Sequence, residues 1–375
     1  RLPVRSAEQA PHSEILPEAF TDEDFDAILD EIRRVGPALL IFLRSVTSLE
    51  IREIDVNGKD TLRYWIHTNN AKQIDQERKR LRDAVQGRPQ ELLEHWLESD
   101  DDLPVIQFDH EFVVCDGEDI KREETWTVTT GLFRGPDNVL LKAALEVCRH
   151  GDKAIPWAGA AVHRNPTYTT EGPLDVKYAC FLPLPFEEET ASNTRRLNLW
   201  LHGWFDLNSS RREITSEGGN TADGTTTHVR YHWNRALMEH AVGPVWAMLV
   251  QQTLGAASDN TTPYILWPRL FNNPSALDHA LKKGFYQTAA ELPVICGQDA
   301  QGYYWRCLHE GVQDLAFKWH EHLLTPLLAE GWTICNPPLP KAIRDGFDIA
   351  GHSVPTVTPY ALRGDLQGDL NSPDL

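Results

Sequence analysis

The sequence predicts a mixed α/β fold, in which a mixed sheet flanked by helices is followed by a long kinked helix and a loop-rich C-terminal part. Three observations lead there. Apolar residues recur at helical spacing in Phe25, Ile28, Leu29 and Ile32, and again along Trp233, Leu237, Ala241, Val245 and Leu249. Between those stretches lie short apolar runs bounded by Gly, Pro and polar breaks, the pattern of strands. Hydrophobic residues make up 41% and charged residues 24% of the 375, so a packed core is within reach and neither a disordered chain nor a fibrous repeat fits.

Residues 6 to 20 are polar, contain Pro11 and Pro17, and read as a linker. Thr21 is a good N-cap, with Asp22, Glu23 and Asp24 in the first turn where the helix dipole favours anions, and Gly36-Pro37 stops the helix. Leu39 to Leu43 is a short apolar run. Ser48 to Asp55 should pair with Asp60 to Thr68 across Val56-Asn57-Gly58-Lys59, because Asn-Gly supplies the positive φ angles of a tight hairpin turn. Asn70 to Leu97 reads as a charged amphipathic helical stretch broken at Gly87 to Pro89, with Arg78, Lys79, Arg80 and Arg82 on a solvated face.

Val105 to Cys115 and Thr125 to Thr130 read as strands, Asn138 to Cys148 as a helix, and Ile155 to Val162, Tyr178 to Leu184 and Leu197 to Phe205 as further apolar strands. Gly218 to Thr227 reads as a Gly/Thr loop. His228 to Leu254 is the longest helical pattern, and Pro244 inside it removes a backbone donor, so the helix should kink or restart there. Beyond Gly255 the expectation is loop-rich chain, with strands near Val294-Ile295 and Tyr303 to Cys307, a helix from Leu315 to Leu328, and a loosely ordered tail from Val354. The expected organisation is therefore 1–20 the end of a preceding domain and a linker, 21–227 middle α/β domain, 228–256 long kinked helix, 257–353 C-terminal α/β subdomain and 354–375 loosely ordered tail.

With 36 Lys+Arg against 55 Asp+Glu the formal net charge is −19, which repels phosphate backbones. Nucleic acid and membrane are thus not expected partners, since no apolar run approaches the length of a spanning helix. Six widely spaced cysteines without a C-x-x-C pair point to a reduced, cytoplasmic setting. The start at Arg1 without methionine, and only two methionines in the chain, suggest a piece of a longer polypeptide.

Most chemistry is eliminated by motif. There is no G-x-x-x-x-G-K-[ST], no G-x-G-x-x-G after a strand, no G-x-S-x-G and no H-E-x-x-H. His320-Glu321-His322, near His309-Glu310, is a poor metal grip, because helix positions two apart diverge by about 200°. No metal is expected. Cys148 with His150 lacks a supporting acid and reads as a small buried residue. Trp157 sits in Ala154-Ile155-Pro156-Trp157-Ala158-Gly159-Ala160-Ala161-Val162, which reads as dense sheet packing. The remaining candidate is the turn after a buried strand, Asp206-Leu207-Asn208-Ser209-Ser210-Arg211-Arg212. Its Asn and Ser residues can fix a loop, and a guanidinium is a planar fork suited to phosphate oxygens. Taken alone, a pair of surface arginines more often makes ordinary ion pairs.

Several blocks in order resemble the region behind the ATPase domain of the sacsin-like proteins. They are Lys153 to Ala161, Cys180-Phe181-Leu182-Pro183-Leu184-Pro185, Gly203 to Arg212, His232-Trp233-Asn234-Arg235-Ala236-Leu237-Met238 and Leu266-Trp267-Pro268-Arg269. Arg1 to Ala10 is similar to the end of that ATPase domain. Sacsin-like proteins belong with the GHKL ATPases and resemble the ninety-kilodalton heat-shock chaperones. The resemblance implies a middle-domain-like α/β segment that couples ATP turnover to closure or client contact. It further implies that Arg211 or Arg212 reaches the γ-phosphate, with Asn208 and Ser210 as nucleotide-side contacts. ATP and Mg belong to the parent protein and no cofactor to this segment, which has no expected activity of its own. The implied partners are the N-terminal ATPase domain of the same polypeptide and a client protein, with room for self-association. The alternatives are a non-catalytic protein- or peptide-interaction module on a Trp-rich surface and, more remotely, a free-standing metal or thiol hydrolase.

Overall fold

The structure, a computed structural model, describes residues 21–55, 57–117, 119–164, 174–185, 197–216, 224–256, 264–268, 274–315 and 324–357. The fold is mixed α/β, as the sequence predicts. Helix α1 (Asp22–Val35) starts at a full capping box: Thr21 Oγ1 accepts from the Asp24 N–H at 3.2 Å, and the Asp24 carboxylate accepts from the Thr21 N–H at 2.8 Å. Ala38–Ile41 makes a four-residue helix, α2. The hairpin β1 (Ser48–Ile54) and β2 (Asp60–Thr68) forms at the Asn-Gly turn, and Gly58 takes a φ of 81°. Helices α3 (Ala71–Ala84) and α4 (Pro89–Glu98) follow, divided where Gly87 to Pro89 predicted.

Two long strands, β3 (Val105–Asp116) and β4 (Asp119–Leu132), lead to α5 (Val139–Arg149). After it come β5 (Trp157–His163), β6 (Leu174–Cys180), the short β7 (Leu182–Pro183) and β8 (Leu197–Gly203). These eight strands form one sheet in the order β1-β2-β3-β4-β5-β8-β6-β7. All pairs are antiparallel except β6 with β8, which makes the sheet mixed.

Alternation along β3 assigns the two faces. Ile106, Phe108, His110, Phe112 and Val114 are buried on one side, where α2 and α3 lie. Gln107 and Thr129 point the other way, reaching Met248 O and Gln252 Oε1. Those two partners belong to the long helix, which covers the centre of the second face.

That long helix begins at Gly224, so residues 224–227 are helical rather than part of the expected loop; residues 217–223 lie outside the described set. It runs as α6 (Gly224–Leu237), a π-helical turn at Met238–Val242, and α7 (Gly243–Ala256). The interruption expected from Pro244 takes this form. The N–H of Gly243 bonds to Met238 O, five residues back, and the wider turn accommodates a proline that has no N–H to give.

Within the chain beyond Gly255 stands a helix that the sequence reading did not foresee, α8 (Ala276–Glu291), whose N-terminus is a Ser275/Asp278 capping box. Helix α8 crosses the π turn at two glycines. A Cβ on Gly284 would lie 1.9 Å from Glu239 O, and one on Gly243 would lie 2.5 Å from Leu281 O. Backbones touch there, so no side chain can intervene. Strands β9 (Ile295–Asp299) and β10 (Gly302–Arg306) form a small sheet with β12 (Ile334–Cys335). Leu315 does not begin a helix: β11 (Asp314–Leu315) pairs in parallel with β13 (Thr356–Val357), which also gives residues 354–357 a place against the core. Residues 324–329 are helical, and a further helix spans Lys341–Ile349. The principal core is continuous from Leu29 to Ala350.

Arg78 corrects the expectation of a wholly solvated arginine face. It is buried, and its guanidinium donates to Val46 O at 2.9 Å, Leu40 O at 2.7 Å and Ile41 O at 3.1 Å. Burial pushes its pKa down to about 10, so it stays charged at neutral pH. It lines a cavity of about 20 Å³ with Phe42, Phe108, Thr130 and Trp157, room for roughly one water.

Two predictions come from this packing. Gly284→Ala should lower stability by about 3 kcal/mol or more, because the contact is with backbone that cannot swing aside. Gly297→Ala, where the new Cβ would meet neighbours at 3.4 Å, should cost less than about 1 kcal/mol; urea midpoints measure both. The second concerns His202, fully buried on β8, whose pKa burial pushes down to about 4. The unfolded chain accepts a proton below about pH 6.5 that the folded chain refuses until about pH 4, so stability falls as pH drops through that window. The full shift corresponds to about 3 kcal/mol. The difference between urea midpoints at pH 7 and pH 4.5 should shrink in His202→Gln.

Candidate functional site

Strand β8 ends at Gly203, and the chain then turns through Trp204 and Phe205 into the Asp206 to Thr215 hairpin. Leu207 pairs with Ile214, Asn208 N–H donates to Glu213 O at 2.9 Å, and Thr215 N–H donates to Asp206 O at 3.0 Å. Asn208 organises the tip. Its Oδ1 accepts from Ser210 Oγ at 2.8 Å and from the Arg212 N–H at 3.1 Å, while its Nδ2 donates to Glu213 Oε2 at 3.1 Å. This is the Asx geometry that short polar residues bring to turns.

Arg211 sits at the tip with φ 57°, a left-handed conformation uncommon outside glycine, and its N–H donates to Asn208 O at 2.8 Å. Ser210, Arg211 and Arg212 are exposed. Among the described residues, neither guanidinium has a carboxylate within ion-pair distance. The hairpin therefore presents two adjacent cations, while Asn208 is occupied inside the turn and acts as its organiser.

The base of the hairpin rests on α6. Asn234 is fully buried; its Oδ1 accepts from the Asp206 N–H at 2.8 Å, and its Nδ2 donates to Asp206 O at 2.8 Å and Thr215 O at 3.0 Å. Beside it, Trp233 Nε1 donates to Trp204 O at 2.8 Å. One turn earlier, Arg230 bridges Asp152 at 2.8 Å and Asp206 at 3.7 Å. Burial pushes the Asp206 carboxyl up, opposed by Arg230 and by the Thr215 hydroxyl. The sequence pattern places Trp233 on the apolar stripe of the long helix but does not mark Arg230 or Asn234 as supports of the hairpin. Their spacing along one helix was the available signal.

His150 Nε2 lies 3.3 Å from Glu146 and Cys148 Sγ lies 3.9 Å from Ala154 O, so each has a partner of its own. His309 is exposed beside Glu291, and His320, Glu321 and His322 lie outside the described residues, as do Arg1 to Ala10. Among the described residues, no group of three or more His, Cys, Asp or Glu is placed to hold a metal ion. Nor is any helix there long and apolar enough to cross a membrane. Trp157 is buried with Nε1 donating to Thr130 Oγ1 at 2.9 Å, and a Cβ on Gly159 would meet Phe42 at 2.9 Å, in keeping with dense sheet packing.

Comparison with known proteins finds a similarity to sacsin of Homo sapiens, 26% identical over 259 residues that make up 67% of this chain. The chain spans about 5% of the length of that relative. No family model matches. No solved structure matches either.

Asn234→Ala would take the side-chain partner from the Asp206 N–H and from Thr215 O, while Asp206 O keeps the Thr215 N–H. The expected cost is about 3 kcal/mol, since each unsatisfied buried group costs ~1–3. Amide exchange of residues 206–215 should accelerate before that of β4 and β5.

Proposed function

We propose that this chain is a sacsin-like segment that relays the nucleotide state of an ATPase domain in the same, longer polypeptide to closure or client contact, in a cytoplasmic chaperone-type ATPase. In this reading Arg211 or Arg212 reaches the γ-phosphate from outside the ATP pocket, and Ser210 lies beside it. ATP and its magnesium would be held by the N-terminal domain, with this segment adding positive charge. The observation that carries the reading is the exposed arginine pair, without an ion-pair carboxylate among the described residues, on a hairpin braced by Asn208 and Asn234. The similarity to sacsin supports it. Such a pair suits an oxyanion because a guanidinium offers two parallel donors, and an exposed arginine pays little desolvation until the two surfaces meet.

A second reading, a protein- or peptide-interaction module without nucleotide coupling, is favoured by a different feature: the half-buried rings of Phe181 and Trp204 at the same end of the sheet.

The two readings separate on one measurement. In the longer polypeptide, Arg211→Ala and Arg212→Ala should each be compared with the parent for ATP turnover and ATP affinity. If an arginine contacts the γ-phosphate only on closure, at least one variant should lose ~10²–10³ in kcat with little change in affinity, and lysine should rescue poorly. Unchanged turnover in both variants, with the fold intact, would return the arginines to an ordinary surface role.

A further inference from the structure

Three aromatic rings close on one cation at the end of the sheet where β5 begins and β6 and β8 finish. Trp157 opens β5, Phe181 directly follows β6, and Trp204 directly follows β8, its N–H donating to Trp157 O at 3.1 Å. The rings stand nearly perpendicular: Trp157 and Phe181 at 83° with centroids 5.9 Å apart, Phe181 and Trp204 at 86° and 5.2 Å. The guanidinium carbon of Arg44 lies 5.7 Å from the Trp157 centroid, 5.4 Å from that of Phe181 and 5.8 Å from that of Trp204. Each distance is within cation–π range.

The arrangement is held from behind. Phe181 has φ 62°, a strained conformation for a bulky residue, and its N–H donates at 3.2 Å to Nδ1 of the fully buried His202. Both indoles are locked by their N–H groups, Trp157 on Thr130 Oγ1 at 2.9 Å and Trp204 on Lys153 O at 3.0 Å. The occupant is held differently. Its backbone is fastened, since Arg82 donates to Arg44 O at 2.6 Å and Arg78 donates to Val46 O, Leu40 O and Ile41 O. Its side chain is exposed and has no carboxylate within ion-pair distance among the described residues. Arg44 can therefore leave the cage by side-chain rotation alone, without moving the segment that carries it.

We infer that the Trp157, Phe181 and Trp204 cage is a receptor for an arginine side chain presented by a partner peptide, and that Arg44 is a resident stand-in displaced on binding. A guanidinium suits the site because it is planar, weakly hydrated and stacks on aromatic faces. The formal net charge of −19 draws basic segments toward the chain. A self-occupied cage lowers apparent affinity by the fraction of time it is vacant. This inference stands apart from nucleotide coupling and survives if the arginine hairpin proves inert.

The test uses the whole chain and a glycine pentapeptide carrying arginine at its centre, followed by the indole N–H resonances in NMR titrations. Arg44→Ala should bind this peptide ~10-fold more tightly than the parent, the gain expected when a cage vacant a tenth of the time is emptied. The same peptide with citrulline, isosteric but neutral, should not bind, and adding Phe181→Ala to the Arg44→Ala chain should abolish binding with the circular dichroism unchanged. Arg44→Gln serves if the alanine variant is unstable. Two results would overturn the inference: no arginine-dependent shift in either Arg44 variant, which makes the cage only a clamp for Arg44, or tighter binding of a trimethyllysine peptide than of the arginine peptide, which assigns the cage to a different cation.

Discussion

The carboxamide of Asn234 holds both strands of the arginine hairpin, and the position of that hairpin depends on it. A single buried side chain from α6 joins the N–H and C=O of Asp206 and the C=O of Thr215, so the loop leaves the sheet already closed at its base. An amide serves because it carries both a donor and an acceptor in one plane. Trp233, the preceding residue, ties Trp204 O to the same helix. The sheet end, the hairpin and α6 are thereby joined as one unit, and whatever shifts the helix carries Arg211 and Arg212 with it.

The helix has a fixed seat of its own. Its π turn at Met238–Val242 lies where Gly284 of α8 touches Glu239 O, with Pro244 just beyond. A π turn is common at points of local function or strain because it rotates the following residues out of α register. Here it reconciles two demands on one turn: a proline without an N–H, and a helix crossing too close for any Cβ. Downstream, α7 covers the sheet through Gln252 and Met248. Upstream, α6 braces the hairpin, so the two arms separate packing from presentation.

On the opposite face a buried charge does comparable work. Arg78 donates to three backbone carbonyls around α2, and three such oxygens make a buried cation tolerable there. With Arg82 it fastens the segment that carries Arg44 across the sheet end. Beside arginines in ion pairs, such as Arg230 with Asp152, this acidic chain uses Arg78 inside as a staple of backbone carbonyls and Arg211 and Arg212 outside as exposed cations on a braced turn.

The α/β class, the capped first helix, the Asn-Gly hairpin, the break at Gly87 to Pro89, the central strands and an interruption at Pro244 were legible in the sequence, because each depends on residues close together in the chain. Capping, turn geometry and hydrophobic period are local signals. Helix α8 was equally local in its Ser275/Asp278 cap, but its apolar positions face a partner helix at glycines and follow a weak stripe, so its period is obscured. The arginine turn could be found from its Asp/Asn/Ser composition. What only the tertiary structure decided is the environment of each charged and aromatic group. Arg78 and Arg82 look alike in sequence, yet Arg78 is buried on carbonyls alone, 37 and 38 residues away, while Arg82 divides its donors between Arg44 O and the Asp75 carboxylate. Asn234 braces a loop 28 residues earlier, and Arg44 meets rings from three separate strand ends. Nothing in a residue's own neighbourhood encodes these partners, since burial and hydrogen bonding are set by which distant backbone the fold brings within about 3 Å.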